Sequence, residues 1–241
     1  MNITRCKARS LIQRGSTELA IFVLLLAFIV LFSIVTDNFF TEYNMLNLLK
    51  QASVKGIVTI AVAFVFITGN CDLTVGASTA LSAMICAILM SDHGWGILPA
   101  IVAALLCTML VGVLNAFAVY ELKVVPFIAT LGMSNVVRGL IKFMSEARTV
   151  ANLPPQFNSF AVTKFLGVPL MLIVWLVIIV ISQFVLRKTV FGRNLYTLGS
   201  SAEVATLSGI NVRKYMYATY VISAFLCGIA GIVMTTRLNS A

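Results

Sequence analysis

Long apolar runs alternate with short polar stretches along nearly the whole chain. A membrane-crossing helix needs about 20 apolar residues, with a range of roughly 17–25. Four runs meet that length cleanly: Leu19–Val35, Ile97–Val119, Pro169–Leu186 and Met216–Met234. Val125–Met144 is also long enough. It carries Arg138 and Lys142, four apart and so on one helix face, where both can snorkel toward an interface. Two further runs, Val54–Thr68 and Val75–Met90, are short. Each extends only about 22–24 Å as a helix, against a hydrocarbon core of about 30 Å. Together they are too long for one crossing. The pattern therefore predicts two spans that share a non-helical connection at membrane depth, which is tolerated only inside protein or beside a water-filled cavity. The count is about seven spans. Thr41–Ser53 is polar-rich and amphipathic and predicts a separate short interfacial helix. Ser145–Gly167, with Pro154-Pro155, predicts irregular structure.

Composition agrees with this class. The 241 residues are 60% hydrophobic and only 10% charged, where soluble domains carry about 25% charged residues. The predicted fold class is an all-α polytopic membrane protein, with residues 1–241 forming one transmembrane domain. The net charge of +9 does not point to nucleic acid, because the basic residues flank apolar runs. One cluster is Arg5, Lys7, Arg9 and Arg14, and another is Arg187, Lys188, Arg193, Arg213 and Lys214. Such excess marks the cytoplasmic side. Seven crossings from a cytoplasmic N-terminus put Arg187–Tyr215 inside, in agreement with its charge. The first run exceeds a signal-peptide core, and Thr36-Asp37-Asn38 after it lacks a small-residue cleavage pattern.

Candidate chemistry is sparse. The five cysteines, Cys6, Cys71, Cys86, Cys107 and Cys227, show no metal-type spacing and mostly lie in apolar runs. His93 is the lone histidine. No phosphate-binding loop or nucleophile elbow is present, so neither catalysis nor a metal site is expected.

Three segments stand out. In Gly69-Asn70-Cys71-Asp72-Leu73-Thr74-Val75-Gly76, Asp72 is the one acid deep in an apolar stretch. An intramembrane carboxylate suggests function. It also suits an N-cap for a helix starting at Leu73. In Val125-Pro126-Phe127-Ile128-Ala129-Thr130-Leu131-Gly132, Pro126 fits a first helical turn. In the loop from Phe191 to Asn211, Ser200 and Glu203 have capping-box spacing, and Gly209 fits the position after a helix end. These predict a helix at Ser201–Ser208, too short to stand alone in water. Either it merely connects, or it rests on a partner. Asn115, Asn135 and Gln183 are polar groups inside apolar runs, expected to bond to neighbouring helices. Ala224, Gly228 and Gly231 predict close helix packing.

Taken together, these strings resemble the permease subunits of the ribose, xylose, arabinose and galactose importers of the ATP-binding-cassette superfamily. Pro126 to Gly132 matches the family string unchanged. Gly69 to Gly76, Phe191-Gly192-Arg193 and Leu198 to Ile210 are similar, in the same order. Asn70 and Cys71 depart from it, as do Ser200, Ser201, Ala202, Val204 and Thr206. Family members also continue beyond Ala241, so the resemblance implies that the C-terminal part of the family domain is absent here.

The resemblance implies a type II importer-like helical bundle, broken near Asp72, in a bacterial plasma membrane. It implies a translocation path that involves Gly69, Asp72, Gly76 and Asn115. It implies coupling to a cytoplasmic ATPase subunit through Arg193, Ser200, Glu203, Ala205 and Gly209. A second permease copy (identical or a paralogue), an external sugar-binding protein and membrane lipid are the other implied partners. ATP is hydrolysed by the partner, so this chain needs no cofactor. A proton-coupled carrier using Asp72, or a non-transporting membrane scaffold, are the alternative readings.

Overall fold

The structure is a computed structural model. It describes residues 3–36, 38–151, 153–165 and 167–241, and the side chains of these except 3–18 and 162. The N-terminal basic cluster and Cys6 fall outside the described side chains, and Asp37 outside the described residues. Two compact units are present, 1–49 and 50–241.

The first unit holds α1 (Ile3–Val35) and the first turns of α2 (Glu42–Ile67). From Leu19 onward the apolar side chains of α1 are largely exposed, as suits a helix set in lipid. Phe32 stacks between Phe28 and Phe39, and the Asn44 amide donates to Phe39 O at 2.8 Å to close the turn into α2.

The second unit contains the rest of α2, then α3 (Val75–Ser91), α4 (Ile97–Tyr120) and α5 (Pro126–Met144). After these come α6 (Pro155–Val162), a two-residue hairpin of β1 (Lys164–Phe165) and β2 (Val168–Pro169), α7 (Leu170–Lys188), α8 (Val190–Ser200), α9 (Ala202–Leu207) and α10 (Val212–Leu238). Among the described residues, five helices are long and apolar enough to cross a membrane: α2, α4, α5, α7 and α10. Leu19–Val35 and Val75–Ser91 are apolar but shorter.

Several boundaries differ from the sequence pattern. Thr41–Ser53 is not a separate helix. The chain continues helically from Glu42 through Ile67, 26 residues and about 39 Å, because nothing between Ser53 and Val54 stops it. Of the two runs expected to be short, only α3, at 17 residues, is so. The stretch 145–167 is partly ordered, since Pro155 starts α6 as a first-turn proline. The stretch 187–215 contains α8, a full helix that its polar composition concealed.

The core is built around α10, which packs on α4 and α3. Small residues set the spacing. A Cβ on Gly231 would stand 2.2 Å from Thr79 O, one on Gly228 2.7 Å from Thr108 Oγ1, and one on Gly112 2.6 Å from Tyr220 O. Backbones this close are the normal means of helix association in lipid. The Ser82 hydroxyl adds a bond to Gly228 O at 2.8 Å. Elsewhere the Trp175 ring of α7 occupies the space that a side chain on Gly56 would need. In contrast, Asn135 and Gln183 are exposed rather than bonded across helices. Arg138 and Lys142 are exposed too, as snorkelling side chains require.

The second unit has two polar ends. At one, Arg148 pairs with Asp92 at 2.8 Å, the Ser91 hydroxyl donates to Ala151 O, and Val150 pairs with Ala241 through two backbone bonds. At the other, Arg213 pairs with Glu121 at 2.6 Å and lies over the Tyr217 ring.

Candidate functional site

Residues 68–74 form an irregular break between α2 and α3. Gly69 turns the chain with φ +77°, a conformation that costs other residues strain. The Thr68 hydroxyl bonds back to Val65 O at 2.7 Å. Asp72 is 4% exposed and is fully engaged by its own chain. Its Oδ1 accepts from the Thr74 amide at 2.9 Å and from the Thr74 hydroxyl. Its Oδ2 accepts from the Ser223 hydroxyl of α10 at 3.0 Å. Helix α3 thus begins at Val75, two residues later than the Leu73 start expected with Asp72 as its cap. Thr74 occupies the cap position without making the cap bond. The carboxylate instead closes a local turn and ties it to α10.

Asn115 belongs to the same cluster. It is 1% exposed, and its amide donates to Thr74 Oγ1 at 2.9 Å. Its Oδ1 and the nearby Ser78 Oγ of α3 are buried without a protein partner. The structure therefore brings Asp72, Thr74, Asn115 and Ser223 together as a polar brace joining α3, α4 and α10. Gly76 stands apart: a Cβ there would meet nothing within 4 Å.

The second group of expected residues lies on α8 and α9. The cap is not Ser200, which ends α8. Ser201 is the N-cap of α9, and its hydroxyl accepts from the Val204 amide at 3.2 Å. Glu203 sits in the first turn, where a carboxylate favours the positive helix end. Gly209 has φ +74°. Its amide bonds to Thr206 O, and that of Ile210 to Ala205 O, the paired closure of a glycine-terminated helix. Ala205 is fully buried with Val65, Leu198, Met216 and Tyr220, so it anchors α9 and presents nothing outward. Val204 and Leu207 do face out, at 51% and 89% exposure. Their i, i+3 spacing was visible in the sequence, but the direction of α9 was not. Arg193 is exposed on α8.

The two groups are not remote. A Cβ on Gly199 would lie 1.8 Å from Ile67 O, so the end of α8 rests backbone to backbone on the end of α2. An open cavity of about 430 Å³ reaches from Gly69 and Asn70 past Tyr120 and Lys123 to Ala202 and Met216. Among the described residues no cluster of metal-binding side chains occurs.

Residues 44–241 match the family described as branched-chain amino acid transport system / permease component. The chain is 32% identical over 234 residues to the ribose import permease protein of Haemophilus influenzae, covering 95% of this chain and 72% of that one. It is 33% identical to the ribose import permease protein of Bacillus subtilis, covering 95% of this chain and 70% of that one. It is 31% identical to the D-allose transport system permease protein of Escherichia coli, covering 91% and 68%. No solved structure matches. With the buried polar brace, the exposed short helix and the apolar bundle, these likenesses lead to one assignment: the chain is a polytopic, all-helical membrane protein that belongs to this family of transport-system permease components.

Proposed function

We propose that this chain is the membrane-spanning permease subunit of an ATP-driven importer for a pentose- or hexose-class sugar. The alignment with ribose and allose permeases over nine-tenths of the chain carries the reading. The chain is no enzyme: it forms part of the path, and a cytoplasmic ATPase subunit hydrolyses ATP. It resides in a bacterial plasma membrane as a multi-pass protein. Its single membrane domain, residues 1–241, crosses seven times from a cytoplasmic N-terminus, through α1 to α5, α7 and α10. The basic end with α8 and α9 then faces the cytoplasm, and the end with α6 faces outward to a sugar-binding protein. A second permease copy completes the path.

In this reading the permease stabilises two conformers differently, and each partner biases them by contact free energy. The ATPase docks on α8 and α9, with Val204 and Leu207 outermost and Arg193, Ser200 and Glu203 around them, while Ala205 and Gly209 fix the helix in place. Gly69, Asp72, Gly76 and Asn115 set the break that borders the path.

The test is uptake by proteoliposomes that hold the chain with its ATPase and binding protein, probed with ribose, allose and fructose. Uptake of at least one sugar that needs ATP and survives collapse of the proton gradient is the expected result. Uptake that follows the proton gradient at constant ATP overturns the reading in favour of a proton-coupled carrier.

A further inference from the structure

Three consecutive residues of the break dock on one stripe of α10. The Asn70 amide donates to Met216 Sδ at 3.3 Å. Cys71 O accepts from the Tyr220 hydroxyl at 3.2 Å. Asp72 Oδ2 accepts from the Ser223 hydroxyl at 3.0 Å. Met216, Tyr220 and Ser223 are spaced four and then three apart, so they form a single helix face. All three are buried. The break is therefore fastened to α10 at three successive points, one of them a backbone carbonyl.

The same stripe leads directly to α9. Only Ser208–Asn211 separates α9 from α10, and both ends of that connection are closed. Ile210 bonds back to Ala205 O, and the Asn211 side chain accepts from the Lys214 amide at 3.0 Å. A connection with both ends bonded transmits displacement rather than absorbing it as a hinge does. On the other side of α9, Gly199 abuts Ile67 O, and Gly199 O lies 3.7 Å from where a Cβ on Gly69 would be. The break is thus held from two directions by the chain on either side of α9.

We propose that residues 68–74 and the corner formed by the end of α8, α9 and the first three turns of α10 move as one body, and that Tyr220 and Asn70 are positioning residues that join the break to it. The proposal rests on α9 as the ATPase contact. A push on α9 then displaces the break together with it, with no sliding between them. The free space for this lies in the cavity between that body and the α4–α5 turn at Tyr120 and Lys123.

The decisive experiment uses the reconstituted complex and the same three sugars. Cysteines replace Asn70 and Met216 (N70C with M216C), and a short bis-methanethiosulfonate bridges them, with each single-cysteine chain as control. Bridging is expected to the same extent in the resting and ATP-loaded complexes, and to leave uptake within twofold of the unsubstituted protein. Bridging that differs between the two states, or that abolishes uptake, overturns the one-body joint. Tyr220→Phe supplies the complementary loosening, since it keeps the ring and removes the bond to Cys71 O. Uptake per ATP hydrolysed is expected to fall several-fold with normal amounts of assembled complex. An unchanged ratio overturns the role of Tyr220. If the unsubstituted complex shows no ATP-driven uptake, it is the permease assignment that fails, and not the joint.

Discussion

Asp72 shows how much a single side chain can be constrained by what is packed around it. It accepts from Thr74 and from Ser223, and neither partner carries a charge. An asparagine reproduces the acceptor toward Thr74, and the Ser223 hydroxyl can turn to accept from the new amide. Asp72→Asn should therefore keep uptake within a few-fold of the parent. Asp72→Leu leaves buried donors orphaned, each costing about 1–3 kcal/mol, and should sharply lower the amount of folded, inserted protein. Fluorescence-detected size exclusion together with uptake separates the two variants. Poor uptake by well-folded Asp72→Asn would restore a role for the charge itself in the path. A second residue-scale expectation concerns Gly231, whose Cβ would collide with the Thr79 backbone. Gly231→Ala should lower the thermal midpoint, since overpacking costs about 1–3 kcal/mol. Gly76→Ala, which meets open space, should not. The sequence marked Asp72 and Asn115 as polar groups within apolar runs, and Gly231 as a small residue suited to close helix packing. It could not show that Ser223, some 150 positions away, completes the site, since a serine in an apolar helix has many local uses.

Helices were legible where length and punctuation agreed. Pro126 starts α5, and Gly209 ends α9 in the left-handed conformation expected of it. They were less legible where polar residues lie within a continuing helix, as at Thr41–Ser53, or where two candidate caps adjoin, as at Ser200 and Ser201. Only the backbone decides between adjacent serines: Ser201 is extended at φ −164° while Ser200 is still helical. Because α9 depends on its closure, Gly209→Val should displace it. A β-branched side chain in the left-handed region costs at least about 1–2 kcal/mol, and the bonds from Gly209 and Ile210 would be lost with it. The expected outcome is loss of ATPase co-purification, while the thermal midpoint of the spans stays nearly constant. Leu207→Cys, fully outside the core, should crosslink to the ATPase in the assembled complex. Failure of that crosslink would remove α9 as the contact.

At the scale of the whole molecule, the distribution of Lys and Arg predicts the order of crossings proposed above. Residues 187–215 and the α4–α5 turn share one polar end, while α6 and the turns at Asp92 and Arg148 share the other. Impermeant thiol reagents added to intact cells should label Ser159→Cys and spare Ser200→Cys; the reverse pattern would invert the proposed orientation. The long reach of the brace has a further effect, on how the protein is made. The hydroxyl that serves Asp72 belongs to a residue 151 positions later in the chain. At about 5–20 residues per second of synthesis, the ribosome needs roughly 8–30 s to reach it. Throughout that interval α3 has an acid just ahead of its start, only 17 residues of length, and no α10 to lean on. The nascent chain is therefore expected to stay at the translocation machinery until α10 arrives. Ribosomes stalled before Ser223 should leave Asp72 without that partner, and such chains should be cut by membrane proteases faster than chains stalled a few turns later.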